Sequence, residues 1–91
     1  MRFEARVVVR LKPGLLDPQG KAVEGALPAM GWRNVSNVRV GKQIEFELEA
    51  PDERAAAAQV NEMASRLLSN PVIEVFSVEL RAPSGAATGG A

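Results

Sequence analysis

The sequence predicts an α+β fold in the order β-α-β-β-α-β, built as an antiparallel sheet with two helices on one face. Residues 2–12 and 43–50 alternate apolar with charged or polar side chains, and successive side chains of a strand point to opposite faces. Two other segments carry apolar residues at helical spacing. With right-handed crossovers, this element order favours the ferredoxin-like strand order 4-1-3-2.

Length and composition indicate one small domain without reactive side chains. The chain has 91 residues, which is the size of a single domain; we place that domain at 1–81 and expect the Gly- and Ala-rich tail, 82–91, to be disordered. The absence of cysteine and histidine removes disulfides, thiolate chemistry and the commonest general base and transition-metal ligand.

Charge and hydropathy restrict the expected partners. Lys plus Arg and Asp plus Glu are balanced at 11 each, so we expect no broad basic surface for nucleic acid or an anionic membrane. No apolar run approaches the ~20 residues of a membrane span, and the first residues lack the apolar core of a signal peptide. These features predict a soluble cytoplasmic protein.

The first strand has a mostly basic outer face, whereas the outer face of 43–50 is acidic. If the two strands are neighbours, Arg6 and Arg10 would pair with Glu45 and Glu47, at about 0.2–1 kcal/mol for each exposed pair. A merely solvated charged face is the alternative.

The first helix is predicted to begin at Asp17 and Pro18. Aspartate is a good N-cap, and proline suits the first helical position because its missing N–H would be unpaired there. Pro28 predicts an end near Leu27, with Gly31 as C-terminal cap. The apolar stripe of this helix is Ala22, Val23, Ala26, Leu27 and Met30.

Gly41 and Lys42 separate two strand-like runs, 32–40 and 43–50. Glycine at the first central position of a two-residue turn is typical of a type II′ hairpin, so the sequence predicts a hairpin here. Trp32, at the start of the second strand, is either a core residue or an exposed interface anchor.

The second helix is predicted at 54–69, which contains four consecutive alanines and no interior Gly or Pro. Glu62 and Arg66 lie four residues apart on its wet face. Asn70 and the proline after it end the helix, and the last strand spans 72–81. The buried stripe of this helix is predicted as Ala56, Val60, Met63, Ala64, Leu67 and Leu68.

No residue pattern predicts catalysis. Glu45, Glu47 and Glu49 share one strand face, but no convergent partner is identifiable, which favours a solvated or salt-bridged face. Gly41 and Lys42 do not form a phosphate loop, which requires G-x-x-x-x-G-K-[ST] opening a helix. The serines have no histidine to activate them. The residues alone predict a small module with no active site, metal or cofactor of its own.

Three segments in this order carry a family resemblance: LDPQGKAV at 16–23, VRVGK at 38–42 and NPVIE at 70–74. Together they resemble PurS, the small subunit of phosphoribosylformylglycinamidine synthase, over about residues 2–81. Gly25 and Pro28 depart from the good helix formers that this family usually carries in the first helix.

The resemblance implies a non-catalytic subunit of a ligase complex in purine biosynthesis. That enzyme converts formylglycinamide ribonucleotide, ATP and glutamine-derived ammonia to the formylglycinamidine ribonucleotide. A large synthetase subunit holds ATP and Mg²⁺, and a glutaminase subunit releases ammonia. The small subunit is expected to be a homodimer, or a tetramer of paired dimers, that bridges the other two and supports ammonia transfer.

The resemblance also gives candidate partner-interface residues, all within the matching segments. They are Asp17, Gln19, Arg39, Lys42, Asn70 and Glu74. Each has a purely structural alternative as a helix cap, a turn residue or a helix stop.

Two rival functions follow from the fold alone. One is a small-ligand-binding regulatory module, because domains of this order often bind amino acids or nucleotides at subunit edges. The other is an RNA-binding sheet, which requires exposed aromatic residues on the open face; the phenylalanines of this chain all point inward by pattern.

Overall fold

The computed structural model describes residues 1–82 and contains three strands and two helices. The elements in chain order are β1 (Arg2–Leu11), α1 (Pro18–Ala26), β2 (Lys42–Glu49), α2 (Glu53–Met63) and β3 (Glu74–Arg81). A 3₁₀ turn, Pro28–Met30, follows α1, and a π-helical turn, Ala64–Leu68, continues α2. Except for Ala82, the tail lies outside the described residues. Within the described range, no helix is long and apolar enough to cross a bilayer.

Strand β1 is the centre of the sheet, which has the order β2-β1-β3 with both neighbours antiparallel to β1. The register places Val7 opposite Ile44 on one side and Val78 on the other, so the apolar faces of the three strands coincide. The predicted α+β class and antiparallel sheet are confirmed. Strands β3, β1 and β2 correspond to the predicted fourth, first and third strands, so their order matches the 4-1-3 part of the predicted order 4-1-3-2.

The core lies between α2 and the inner face of the sheet, which we define as the face that carries Val7 and Val9. Val60 of α2 joins these two valines in one buried cluster, while Phe46 and Phe76 on the flanking strands are only partly buried. One helix is too narrow to cover three strands fully. The buried apolar residues are Phe3, Ala5, Val7, Val9, Ala50, Ala56, Val60 and Ala64.

The π-helical turn changes which side chains of the second helical segment are buried. Ala64 is buried as predicted, but Leu67, predicted to be in the buried stripe, is 81% exposed. A π turn takes more residues than an α turn, so Leu67 is displaced from the stripe and Leu68 packs against the core instead.

Helix α1 begins and ends as the sequence predicts. Asp17 is its N-cap, Pro18 is its first residue, and the helix ends before Leu27. Leu27 is its C-cap, whereas Gly31, the predicted cap, ends the following 3₁₀ turn in a left-handed conformation with φ of 107°. Its burial differs from the prediction. Gly20 is the buried residue of α1, and Val23 of the predicted apolar stripe is 44% exposed, so α2 and the π-helical turn after it supply the helical part of the core.

The predicted hairpin at Gly41 and Lys42 is wrong. Residues 32–41, which we call the connecting segment, form no strand within the described chain, and Lys42 already belongs to β2, opposite Val9. A Cβ on Gly41 would lie 2.5 Å from the carbonyl oxygen of Val9. This glycine therefore permits the backbone to pass close to β1 and does not form a hairpin turn.

The connecting segment stays out of the sheet because its backbone donors have other acceptors. The N–H of Val38 donates to Glu24 Oε1 at 3.2 Å, and the N–H of Val40 donates to Asp17 Oδ2 at 2.8 Å. Both acceptors are side chains, one on α1 and one capping it. A sheet of three strands results, without the predicted second strand.

The outer face of the sheet is bound together by ion pairs. Arg6 pairs with Glu45 at 3.4 Å, as predicted, and also with Glu79 at 3.2 Å. Glu47 pairs with Arg2 at 3.4 Å and not with the predicted Arg10. The charged residues of three strands therefore neutralise one another across this face.

Candidate functional site

Two of the three segments of the family resemblance, 16–23 and 38–42, meet at the start of α1, where Asp17 joins the helix to the connecting segment. Its Oδ1 accepts the N–H of Gly20 at 2.8 Å, and its Oδ2 accepts the N–H of Val40 at 2.8 Å. Asp17 is only 4% exposed. Because a buried carboxylate is costly unless its oxygens are hydrogen-bonded, this double acceptance explains how the charge is accommodated.

Arg39 covers the same site from the connecting segment. Its Nε lies 3.9 Å from Asp17 Oδ2, and its terminal nitrogens donate to the carbonyl oxygens of Leu15 and Lys12 at 2.9 and 3.3 Å. Arg39 thus ties the connecting segment to the loop between β1 and α1. We call Asp17, Gly20, Arg39 and Val40 the Asp17 clamp.

The clamp lowers the pKa of Asp17 below its ordinary value of 3.8. The hydrogen bond from Gly20 is the largest cause, followed by the bond from Val40; burial acts in the opposite direction, and the positive charge of Arg39 adds to the lowering. Hydrogen bonds to the charged form favour it. Asp17 is therefore ionised at neutral pH and acts as an acceptor only.

The helix packs against the connecting segment closely enough to require glycine at position 20. A Cβ on Gly20 would overlap the carbonyl oxygen of Val38 and stand 3.0 Å from Asp17 Cγ. Gly25, further along α1, has nothing within 4 Å of such a Cβ. The close approach therefore belongs to the clamp and is not a general property of the helix.

Two of the predicted interface residues lie beside the clamp. Gln19 is exposed in the first turn of α1, and Lys42 is exposed at the first residue of β2. The structure thus brings Asp17, Gln19, Arg39 and Lys42 to one region of the chain. Their assignment to a partner interface stays a prediction.

The other two predicted residues, Asn70 and Glu74, form a separate turn before β3. Glu74 Oε1 accepts the N–H of Asn70 at 2.6 Å, and the backbone oxygen of Asn70 accepts the N–H of Glu74 at 2.7 Å. Asn70 Oδ1 also accepts the N–H of Val72 at 3.1 Å. These side chains stabilise a turn by reciprocal bonds, and their contact with a partner stays a prediction.

Three large apolar side chains before and after α1 are exposed. Of these, Trp32 was offered as an interface anchor, whereas Met30 was predicted in the apolar stripe of the helix. Leu16 is 70% exposed, Met30 is 66% exposed, and Trp32 is 52% exposed, which decides against the core alternative for the tryptophan. Exposed apolar groups of this size are typical of protein contacts when they gather in one region. The sequence signal for this exposed apolar surface was the presence of Leu16 in the turn before the helix and of Met30 and Trp32 in the turn after it.

The outer face of the sheet forms a shallow depression of about 760 Å³ between the strands. Its charged lining includes Glu4, Arg6 and Arg81, and Arg81 pairs with Glu4 at 3.8 Å. Among residues 1–82, no group of three or more side chains is placed to hold a metal ion. The arrangement offers paired charges and hydrogen-bonded turns, which are the chemistry of contact surfaces.

A family model for PurS, described as phosphoribosylformylglycinamidine (FGAM) synthase, matches residues 4–82. The chain belongs to the PurS family. The match covers both helices, β2, β3 and all but the first two residues of β1, and it confirms the resemblance that the three sequence segments carry. Relatives of the chain are named as subunits of FGAM synthase, the ligase complex that the resemblance implies.

The PurS subunit of Synechocystis is 46% identical over 86 residues, which are 94% of this chain and 86% of that protein. The crystal structure of PurS from Bacillus subtilis superposes with a TM-score of 0.79 at 40% identity, over 88% of this chain and 99% of that one. A chain in the structure of PurLQS from Thermotoga maritima gives a TM-score of 0.82 at 30% identity, over 89% and 99%.

The PurS resemblance and the clamp involve the same residues. The segment 16–23 supplies Asp17 and Gly20, and the segment 38–42 supplies Arg39 and Val40. Two segments that lie apart in the sequence are thus the two halves of one contact. In this PurS chain the residue types at Asp17, Gly20 and Arg39 have a direct structural reason.

Proposed function

We propose that this chain is the small, non-catalytic subunit of an ATP- and glutamine-dependent phosphoribosylformylglycinamidine synthase, acting in the cytoplasm. In the proposal it bridges a large synthetase subunit and a glutaminase subunit and supports ammonia transfer between them. The observation that carries it is the similarity over 89% of this chain to a chain in the PurLQS structure of Thermotoga maritima.

The composition of the chain supports a division of labour with the other subunits. Without histidine or cysteine, it lacks the residue types that glutamine hydrolysis through a thiolate would need. ATP, Mg²⁺ and the glutaminase chemistry are therefore assigned to the partners, and the small subunit is assigned assembly. A homodimer, alone or paired into a tetramer, is the form in which we propose that it acts.

Exposed apolar side chains before and after α1 support an assembly role. Leu16, Met30 and Trp32 are exposed, and aromatic and methionine side chains are enriched in protein interfaces. Leu16 directly precedes Asp17 of the clamp, whereas Met30 and Trp32 lie beyond the C-terminal end of α1. The proposed interface residues remain Asp17, Gln19, Arg39, Lys42, Asn70 and Glu74.

Reconstitution with the synthetase and glutaminase subunits tests the proposed function. We expect glutamine-supported turnover to require this chain, because only coupled subunits deliver ammonia from one site to the other. Turnover supported by added ammonium chloride should persist without it. Equal glutamine-supported turnover with and without the chain would overturn the proposal, as would turnover by the isolated chain.

The interface assignment has its own test in the variant Arg39→Glu with Lys42→Glu. Reversing both charges should weaken co-purification with the other subunits while the chain remains folded. Since Arg39 also holds carbonyl oxygens within the chain, Lys42→Glu alone separates the surface effect from disturbance of the clamp. Arg66→Glu, at an exposed position of the π-helical turn that continues α2, is the matched control. Wild-type assembly by the double variant would contradict the assignment.

A further inference from the structure

Asp17 does more than an N-cap requires. A cap needs one side-chain oxygen, which accepts an N–H of the first helical turn. Asp52, the N-cap of α2, has this simple arrangement: it is exposed and accepts the N–H of Ala55 at 2.8 Å. Asp17 is the buried polar residue of the described chain, and its second oxygen reaches Val40, 23 residues away.

The contacts that hold the connecting segment gather at its last four residues. The N–H of Val40 and the guanidinium of Arg39 both face Asp17, and Val38 passes over Gly20. The N–H of Val38 donates to Glu24 at 3.2 Å, which is a longer bond. Asp17 therefore lies where the segment, the helix and the preceding loop meet.

We infer that Asp17 is a positioning residue: its buried carboxylate fixes the connecting segment against α1 and thereby sets the surface that the chain presents to other subunits. The second part of this inference depends on the proposed function. In the absence of the Val40 bond, the segment has an undocked alternative in which residues 38–41 leave the first turn of α1. A surface that is docked only part of the time binds more weakly in proportion to the docked fraction.

The variant Asp17→Asn tests the hydrogen bond from Val40 separately from the helix cap at Gly20. Asparagine caps helices as well as aspartate does, so Gly20 retains an acceptor, but the side-chain amide places a donor where the Val40 N–H needs an acceptor. Asp52→Asn is the matched control, because the single bond of Asp52 to Ala55 survives the same replacement. Both variants remove one negative charge from an N-cap.

Hydrogen exchange of backbone amides gives the direct readout. In Asp17→Asn we expect the Val40 amide to exchange at least about tenfold faster, while the amides of β1 keep their wild-type rates. In Asp52→Asn, the Val40 amide should be unchanged. Unaltered exchange at Val40 in Asp17→Asn, or a uniform acceleration over the whole chain, overturns the inference.

A measurement on the wild type makes the inference independent of whether a variant folds. Val40 and Val35 lie in the same connecting segment, but the N–H of Val35 finds no acceptor among residues 1–82. The Val40 amide should therefore be protected by at least about tenfold relative to that of Val35. Equal exchange rates at Val40 and Val35 would overturn the inference that Asp17 fixes the connecting segment.

Binding to the synthetase and glutaminase subunits tests the second part. If the docked fraction falls to about one tenth, the apparent Kd of Asp17→Asn should rise about tenfold, with Asp52→Asn at the wild-type value. Unchanged binding by Asp17→Asn, together with accelerated exchange at Val40, overturns the positioning role. Failure of the wild type to bind either subunit contradicts the proposed function. Hydrogen exchange at Val40 then still tests whether Asp17 fixes the connecting segment.

Discussion

Replacing Gly20 with alanine should lift the connecting segment off α1, whereas the same replacement at Gly25 should stabilise the protein. A Cβ on Gly20 would overlap the carbonyl oxygen of Val38 and stand 3.0 Å from Asp17 Cγ. A Cβ on Gly25 would have nothing within 4 Å. The two substitutions are chemically identical and lie in one helix, so the difference between them measures the close approach.

The obstacle at Gly20 is backbone, which cannot rotate aside as the end of a flexible side chain can. To reach an ordinary contact of roughly 3.5 Å, the segment must retreat by on the order of 1 Å. Such a movement stretches the 2.8 Å bond from Val40 to Asp17 beyond hydrogen-bonding range. The steric clash and the lost hydrogen bond therefore occur together.

The two substitutions should change the free energy of unfolding in opposite directions. Overpacking costs about 1–3 kcal/mol, and the helix preference of alanine over glycine offsets at most about 1 kcal/mol of it. We expect Gly20→Ala to lower the free energy of unfolding by roughly 1–2 kcal/mol, and Gly25→Ala to raise it by about 0.5–1 kcal/mol. For a domain of this size, a 2 kcal/mol difference corresponds to roughly 8–16 °C in Tm.

Urea unfolding followed by circular dichroism gives the two free energies, and amide exchange locates the change. In Gly20→Ala the amides of Val38 and Val40 should lose protection before the rest of the chain, whereas Gly25→Ala should leave them at wild-type rates. If Gly20→Ala is as stable as Gly25→Ala and keeps wild-type exchange at both valines, the close packing described here is refuted.

Three further outcomes follow from burial and charge. Val60→Ala should lower the free energy of unfolding by about 1–3 kcal/mol because Val60 is fully buried, whereas Val72→Ala, at a position 77% exposed, should change it by less than about 0.5 kcal/mol; urea unfolding compares them. Folding lowers the pKa of Asp17 below 3.8, so its ionised form stabilises the fold above that pH. The difference in urea midpoint between the wild type and Asp17→Asn should therefore shrink as the pH falls below 3.8. Arg6→Ala should cost under about 1 kcal/mol, and less at high salt, because its ion pairs are exposed; a larger, salt-independent loss would contradict this.

The strands and helices that hold the core could be predicted because their patterns are local. Alternation of apolar and charged residues specified β1, β2 and β3, since a strand with one buried face needs that period. The alanine-rich run specified α2, and the cap at Asp17 specified the start of α1. In each case the signal and the structure involve residues that are neighbours in the sequence.

The hairpin could not be predicted correctly because glycine serves two purposes that look alike in sequence. Gly41 was interpreted as a turn residue, but its role is to let the backbone pass the carbonyl oxygen of Val9. That neighbour is 32 positions earlier and follows no periodic pattern with it. The β-branched residues Val38 and Val40 favoured a strand, but side-chain carboxylates bind the N–H groups that a strand would have donated.

Of the residues of the Asp17 clamp, the sequence indicated Asp17 and Arg39, but not Gly20, Val40 or the geometry that joins them. Asp17 and Arg39 were expected to face a partner separately. In the structure, Arg39 Nε lies 3.9 Å from Asp17 Oδ2 of the same chain. A partner that meets this region therefore contacts a surface whose shape already depends on an internal hydrogen bond. Since Asp17 is buried, we expect its substitution to affect the proposed assembly through the position of the connecting segment, whereas substitution of the exposed Lys42 should act on the proposed contact itself. In the proposed interface, the two residues therefore contribute in physically different ways.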